Sequence, residues 1–223
     1  VTRLLVRNEF KCLCGFDEEQ VQKLKRKEDA DVEEHIEKID ISLDDRNSII
    51  TGVSEIAAEY GTVELLVING NNRVKKPISE VNPGDWNTSI SRNMLGPFYA
   101  IQEMAPHMRG DRNRQIIVIL PGGGSNVRED HDLLPAVSGE ALKRLVETAA
   151  QELFPEITVN AVQPGTISKR AGDTKVRTRR NLQDAYRRKL HPEDVAEAVL
   201  YLTQRSNKVT GKTISLQTGM KFE

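Results

Sequence analysis

Short apolar segments alternate along this chain with longer stretches whose apolar residues recur every three or four positions, and that alternation restricts the fold more than any other feature. Strands that are apolar on both faces need a layer on each side, and helices between successive strands supply those layers, so the pattern predicts a parallel sheet covered on both faces. Strands are expected over 63–68, 116–120, 157–162 and 213–217, and helices over 85–108 and 134–153. Pro192 is expected to open the last helix, at the first-turn position where a missing N–H costs nothing. Ser42-Leu43-Asp44-Asp45 reads as a capping box ahead of the apolar positions Ile49, Ile50, Val53, Ile56 and Ala57, with Gly61 as the stop. No repeat or Pro/Ser-rich linker divides the 223 residues, so one domain spanning 1–223 is expected.

Composition excludes several partner classes. With 32 basic against 33 acidic residues, no global attraction to nucleic acid or to an anionic membrane is implied. The longest uninterrupted aliphatic run, 116–120, is far short of the roughly 20 residues that span a bilayer. Nothing resembles a signal peptide, and a cytoplasmic protein is expected. Cys12 and Cys14 lie two apart in an expected strand, so both side chains share a face; buried free thiols are expected there, because a disulfide at that spacing is strained. A Cys-x-Cys pair with His35, His107, His131 and His191 scattered elsewhere makes a poor ligand set, and no metal site is expected.

Several segments, in order, give the chain a resemblance to the short-chain dehydrogenase/reductase family. Asp40-Ile41-Ser42 is similar to the family's aspartate after its third strand, and Leu65-Leu66-Val67-Ile68-Asn69-Gly70-Asn71 to its "L-V-N-N-A-G" strand end. Asn93-Met94-Leu95-Gly96-Pro97-Phe98 resembles the helix carrying the catalytic asparagine, Gln115-Ile116-Ile117-Val118-Ile119 the next strand, and Val159-Asn160-Ala161-Val162-Gln163-Pro164-Gly165 the "V-N-x-V-x-P-G" turn. His191-Pro192-Glu193-Asp194-Val195-Ala196 and Val209-Thr210-Gly211-Lys212-Thr213 complete the pattern, which covers nearly the whole chain. The resemblance implies a doubly wound, Rossmann-type parallel sheet ordered 3-2-1-4-5-6-7 and an NAD(P)-dependent oxidoreductase chemistry.

The departures are as informative. Counted back from Ala150-Gln151-Glu152-Leu153, the family's catalytic tyrosine and lysine fall on Pro135 and Gly139, and its serine on Pro121 or Gly122. In the family the tyrosine moves a proton, the lysine lowers its pKa and the serine holds the substrate oxygen, none of which proline or glycine can do. Asn93 is the one catalytic position retained; without the lysine, bracing a helix is its favoured role. Asp40, Asn69, Pro164 and Gly165 stand at family cofactor positions, although Asp40 and Asn69 serve equally well as turn and cap residues. Phe16 follows the second strand, where the family selects its nicotinamide cofactor, and offers neither carboxylate nor guanidinium.

Leu4 to Cys14 resembles the end of the family's first helix running into its second strand, so the first strand and its glycine-rich, phosphate-cradling turn are not found on these residues. The other reading makes 2–6 the first strand, which leaves too few residues for a parallel crossover. No cofactor is therefore expected on the chain as given, and NAD(P) if the family function is retained. The loop Arg128-Glu129-Asp130-His131-Asp132 is read as solvated charge, lacking a nucleophile with a defined partner. The stretch 169–190 carries Lys169, Arg170, Lys175, Arg177, Arg179, Arg180, Arg187, Arg188 and Lys189 against Asp173 and Asp184. The family's mobile substrate lid lies here; a basic lid suits an acidic carrier protein or an acyl thioester, or is a solvated helix.

Three functions follow as expectations: a catalytically incompetent family member acting as a structural or regulatory subunit, partnering an active NAD(P)-dependent ketoreductase as some such relatives do; an NAD(P)-dependent oxidoreductase; or a nucleotide or acyl-ligand sensor. On the helix over 134–153, Leu134, Val137, Ala141, Leu142, Leu145, Ala149 and Leu153 form a stripe widened by Ala136, Val146 and Ala150. That width predicts a homo-oligomer or hetero-oligomer built on the 85–108 and 134–153 helices.

Overall fold

The computed structural model describes residues 1–16, 36–70, 74, 76–110, 114–121, 133–165, 167, 190–204 and 209–216. Helix α1 (Thr2–Arg7) leads to β1 (Cys12–Phe16), and β2 (Ile36–Asp40) to α2 (Arg46–Tyr60) and β3 (Leu65–Ile68). Then come α3 (Pro83–Ile90), a π turn (Ser91–Leu95) and α4 (Gly96–Met104). After β4 (Arg114–Ile119) follow α5 (Leu133–Leu153), β5 (Ile157–Pro164), α6 (Pro192–Gln204) and β6 (Thr213–Leu216). Every pairing between these strands is parallel. The expected α/β, Rossmann-type fold is the observed one.

Alternation along β4 sorts the core into two layers. Ile116 and Val118 point to one face with Val159 and Ala161, where Ile49, Val53 and Ile56 of α2, Ile101 and Met104 of α4, and Leu142 and Val146 of α5 cover them. Ile117 and Ile119 point to the other with Val162, under Val195, Val199 and Leu202 of α6. All six residues of β4 are buried, as expected of a strand covered on both sides.

Local chemistry adjusts the expected boundaries. The cap of α2 is Asp45 rather than Ser42: its carboxylate accepts from the Asn47 N–H at 2.9 Å, while Ser42 lies a turn earlier and its own N–H donates to Ser48. Gly61 ends the helix at φ 72°. The helix expected over 85–108 is in fact composite, because the π turn inserts a wider loop at residues 91–95 and a 3₁₀ turn finishes at Ala105–Met108. Asn82 and Asp85 form its capping box, and Lys76 donates to both Asp85 oxygens at 2.8 Å. These bonds from Lys76 and from the Asn82 backbone hold the Asp85 carboxyl below its ordinary pKa. Residues 2–6 are helical, which removes the reading of them as a strand; Leu5 is the buried anchor of this short helix.

Among the described residues the sheet is hydrogen-bonded in two pieces, β1–β2 and β3–β4–β5–β6. One core serves both: Leu13 of β1 and Ile39 of β2 pack on the cluster that contains Ile68, Ile116 and Val118. Cys12 and Cys14 are free thiols on a common face toward α1, with the Cys14 sulfur 3.4 Å from the Thr2 hydroxyl. Burial pushes the Cys12 thiol up to about 11, with the neighbouring Cys14 adding to it. No helix among the described residues is long and apolar enough to cross a membrane.

Candidate functional site

Parallel strands end together, and the crevice outside their carboxyl ends is where open α/β sheets bind ligands. Pro121 leaves the end of β4 and lies buried against the first turns of α5. A Cβ built on Gly139 would stand 3.7 Å from the Pro121 carbonyl and 3.8 Å from its ring. Pro135 is buried one helical turn before Gly139. Pro121 and Gly139 are thus in contact, and Pro135 lies one turn earlier on the same helix, all three buried. Gly122, the other candidate for the serine position, lies outside the described residues.

Asn93 sits in the π turn, fully buried. Its amide donates to the Ser138 hydroxyl at 3.2 Å and reaches the Ser89 hydroxyl at 3.4 Å. Ser138 in turn donates to the Leu134 carbonyl at 2.8 Å, so the group is joined to the backbone of α5. Ser89, Asn93 and Ser138 are each 0% exposed and connect α3, the π turn and α5. Neither serine was evident as a site residue from the sequence. The available signal was the spacing: Ser89 and Asn93 are four apart on one helical face, and Ser138 immediately precedes Gly139.

A close approach fixes the π turn against the strand ends. A Cβ on Gly70 would fall 2.6 Å from the Arg92 carbonyl, and one on Gly96 would fall 2.3 Å from the Leu43 carbonyl. Glycine at both positions lets the segment after β2, the end of β3 and the start of α4 meet backbone to backbone.

The expected cofactor positions also gather at this edge. Asp40 ends β2 and Asn69 follows β3, both exposed. Pro164 ends β5 buried, and the Gly165 N–H donates to the Leu216 carbonyl at 2.8 Å. Asn160 of the same turn is structural: its side chain bonds the Val209 carbonyl at 2.8 Å and the Lys212 N–H at 3.0 Å. An adenosine-side contact from Asp40 and Asn69 fits this placement. The pyrophosphate side fits poorly among the described residues, since Gly15 lies against Ile41, Gly70 against Arg92, and the Gly165 N–H is taken. The basic segment 169–190 lies outside the described residues apart from Leu190, which forms a parallel bridge with Ile167. The charged loop 128–132 and the side chain of Phe16 lie outside them as well.

Comparison with known proteins agrees with this architecture. A family model described as enoyl-(acyl carrier protein) reductase matches residues 11–221. The chain belongs to the short-chain dehydrogenase/reductase family. It is 29% identical over 149 residues to an uncharacterised oxidoreductase of Staphylococcus aureus, a match covering 66% of this chain and 62% of that protein. It is 27% identical over 176 residues to a 3-oxoacyl-[acyl-carrier-protein] reductase of Staphylococcus epidermidis, covering 75% of this chain and 70% of the relative. The matched stretch thus spans somewhat under two thirds of the Staphylococcus aureus relative's length. Among solved structures, a blue fluorescent protein from a metagenomic library, in complex with NADPH, superposes with a TM-score of 0.79 at 21% identity, over 97% of this chain and 90% of the other.

Proposed function

We propose that this chain is a family member without the family's proton relay, acting as a structural or regulatory subunit. One observation carries the reading: the resemblance puts the tyrosine and lysine on buried Pro135 and Gly139 and the serine on Pro121 or Gly122, Gly139 lies against Pro121, and the retained Asn93 is engaged by Ser89 and Ser138. A buried amide bonded to two hydroxyls braces three helical segments. The test is an assay of the purified chain with ketones, alcohols, 3-oxoacyl thioesters and enoyl thioesters, using NADH and NADPH. No turnover above background is expected, because coupled loss of relay groups costs factors of thousands or more. Turnover that Asn93→Ala abolishes, in a variant that still melts cooperatively, overturns the reading.

The partner in this reading is a second family subunit, active or identical, docked on α4 and α5, and the charge of the basic segment 169–190 suits an acidic carrier or an acyl thioester. The matching family model and one relative are both described as acyl-carrier-protein reductases, which favours that ligand class.

A second reading, an NAD(P)-dependent oxidoreductase, is favoured by the relatives named as oxidoreductases and by the NADPH complex of a structural neighbour. Calorimetry with NADH and NADPH separates the two. The subunit reading expects no saturable heat at sub-millimolar cofactor, and micromolar affinity moves the chain to the enzyme or to a nucleotide sensor.

A further inference from the structure

The first residue of β4 is a buried charge that its surroundings satisfy on one side. Side chains alternate along the strand, so Arg114 shares the face of Ile116 and Val118 and stands at the rim of the core that α2, α4 and α5 cover. Its side chain is 6% exposed. The guanidinium Nη1 donates at 3.1 Å to Glu64, just ahead of β3, whose carboxylate stays largely in water at 60% exposed. Nε and Nη2 make up the opposite edge of the same plane. Nε is the one buried side-chain nitrogen or oxygen among the described residues with no hydrogen-bond partner. Nη2 borders open space: a Cβ built on Gly110 would meet it at 3.7 Å and, apart from the chain neighbours of Gly110, nothing else among the described residues within 4 Å. Gly110 takes φ 151°, a conformation that side chains rarely adopt, so the approach to Nη2 is kept clear. Glu156, next to the Ile157 that pairs with Arg114, is itself engaged by Arg109 at 3.5 Å.

We propose that the Nε–Nη2 edge of Arg114 is a binding site for the carboxylate of a small organic acid, which enters over Gly110. A charge this deep is costly unless its donors are filled, and a single bond to a carboxylate that stays in water leaves the far edge unfilled. Two parallel N–H groups fixed on a rigid plane match the two oxygens of a carboxylate. Charge then selects among anions. Glu64 and Glu156 already balance Arg114 and Arg109, so a carboxylate brings one further negative charge to this end of the sheet, where a phosphate brings up to about two. The site lies at the opposite end of β4 from Pro121, and the inference stands whether or not the crevice there is catalytic.

Nuclear magnetic resonance of the arginine Nε–H groups tests it on the whole chain. In isotope-labelled protein the Arg114 signal is assigned through bonds from its own backbone, and acetate, phosphate and chloride are added in turn at constant ionic strength. Acetate should move that signal to saturation, with a midpoint at least about tenfold lower than that of phosphate or chloride. Arg114→Lys keeps a positive charge and removes the paired N–H groups, so acetate should raise the melting temperature of the native chain and leave that of the variant unchanged. If the variant does not fold, the titration of the native chain decides alone. A signal that acetate does not move overturns the proposal, as does a linear drift common to all three anions. Phosphate binding as tightly as acetate overturns it too, and so does an equal effect of acetate on the melting of Arg114→Lys.

Discussion

Two glycines in the same region predict opposite outcomes on gaining a methyl group. Gly96→Ala drives a Cβ to 2.3 Å from the Leu43 carbonyl, and both groups belong to backbone, so neither can turn aside. A loss near the upper end of the overpacking range, about 3 kcal/mol, should appear as a lower urea midpoint. At Gly139 a Cβ meets nothing closer than 3.7 Å, inside a helix where glycine costs conformational entropy. Gly139→Ala should therefore stabilise by about 0.5–1 kcal/mol in the same measurement. Ser138→Ala removes the acceptor of the Asn93 amide and a bond to the Leu134 carbonyl in a fully buried place. A cost of about 1–2 kcal/mol is expected; a neutral result in the urea titration would show that Asn93 finds its support elsewhere. None of this was evident beforehand for Ser89 or Ser138, because a serine's role depends on which helix lies opposite, and 49 residues separate the two.

At the scale of elements, β1 carries the clearest pH response. The Cys12 thiol titrates near 11 in the folded chain against an ordinary 9.0, because burial disfavours the thiolate. The unfolded chain thus loses this proton first, and the stability that the group contributes is complete below pH 9 and falls as pH rises toward 11. Urea midpoints of the native chain minus those of Cys12→Ala should trace that decline, and a flat difference from pH 8 upward contradicts it. The same strand shows what the sequence makes legible. Its position after a helix, the face shared by Cys12 and Cys14, and the parallel order of β3 to β6 follow from apolar spacing and from the family's motifs. The break in the helix over 85–108 does not, because a π turn leaves the i, i+3 and i+4 pattern nearly intact and is decided by the approach of Arg92 and Gly96 to other backbone. The width of the apolar stripe on α5 is partly explained by packing within the molecule: Leu134, Leu142, Val146 and Ala150 are buried, and Leu145, Ala149 and Leu153 lean on the same core.

At the scale of the whole molecule, that leaves Val137 on α5 and Phe98 on α4, 43% and 39% exposed, as the large apolar side chains those two helices present to solvent among the described residues. If the helices are an association surface, Phe98→Lys with Val137→Lys should shift light scattering from a larger species to a monomer while leaving the melting curve of the monomer intact. A wild-type chain that is already monomeric at tens of micromolar counts against the subunit proposal. The interrupted sheet bears on how the molecule comes apart. Among the described residues no interstrand hydrogen bond joins β1 and β2 to the other four strands; Leu13 and Ile39 pack in the core, and at the surface the Tyr60 hydroxyl donates to Glu37, which Lys11 also meets at 2.9 Å. Interstrand hydrogen bonds are what usually make a sheet melt as a unit, so this layer is free to leave first. Calorimetry should then give a van't Hoff enthalpy smaller than the calorimetric one, and a ratio of unity contradicts it.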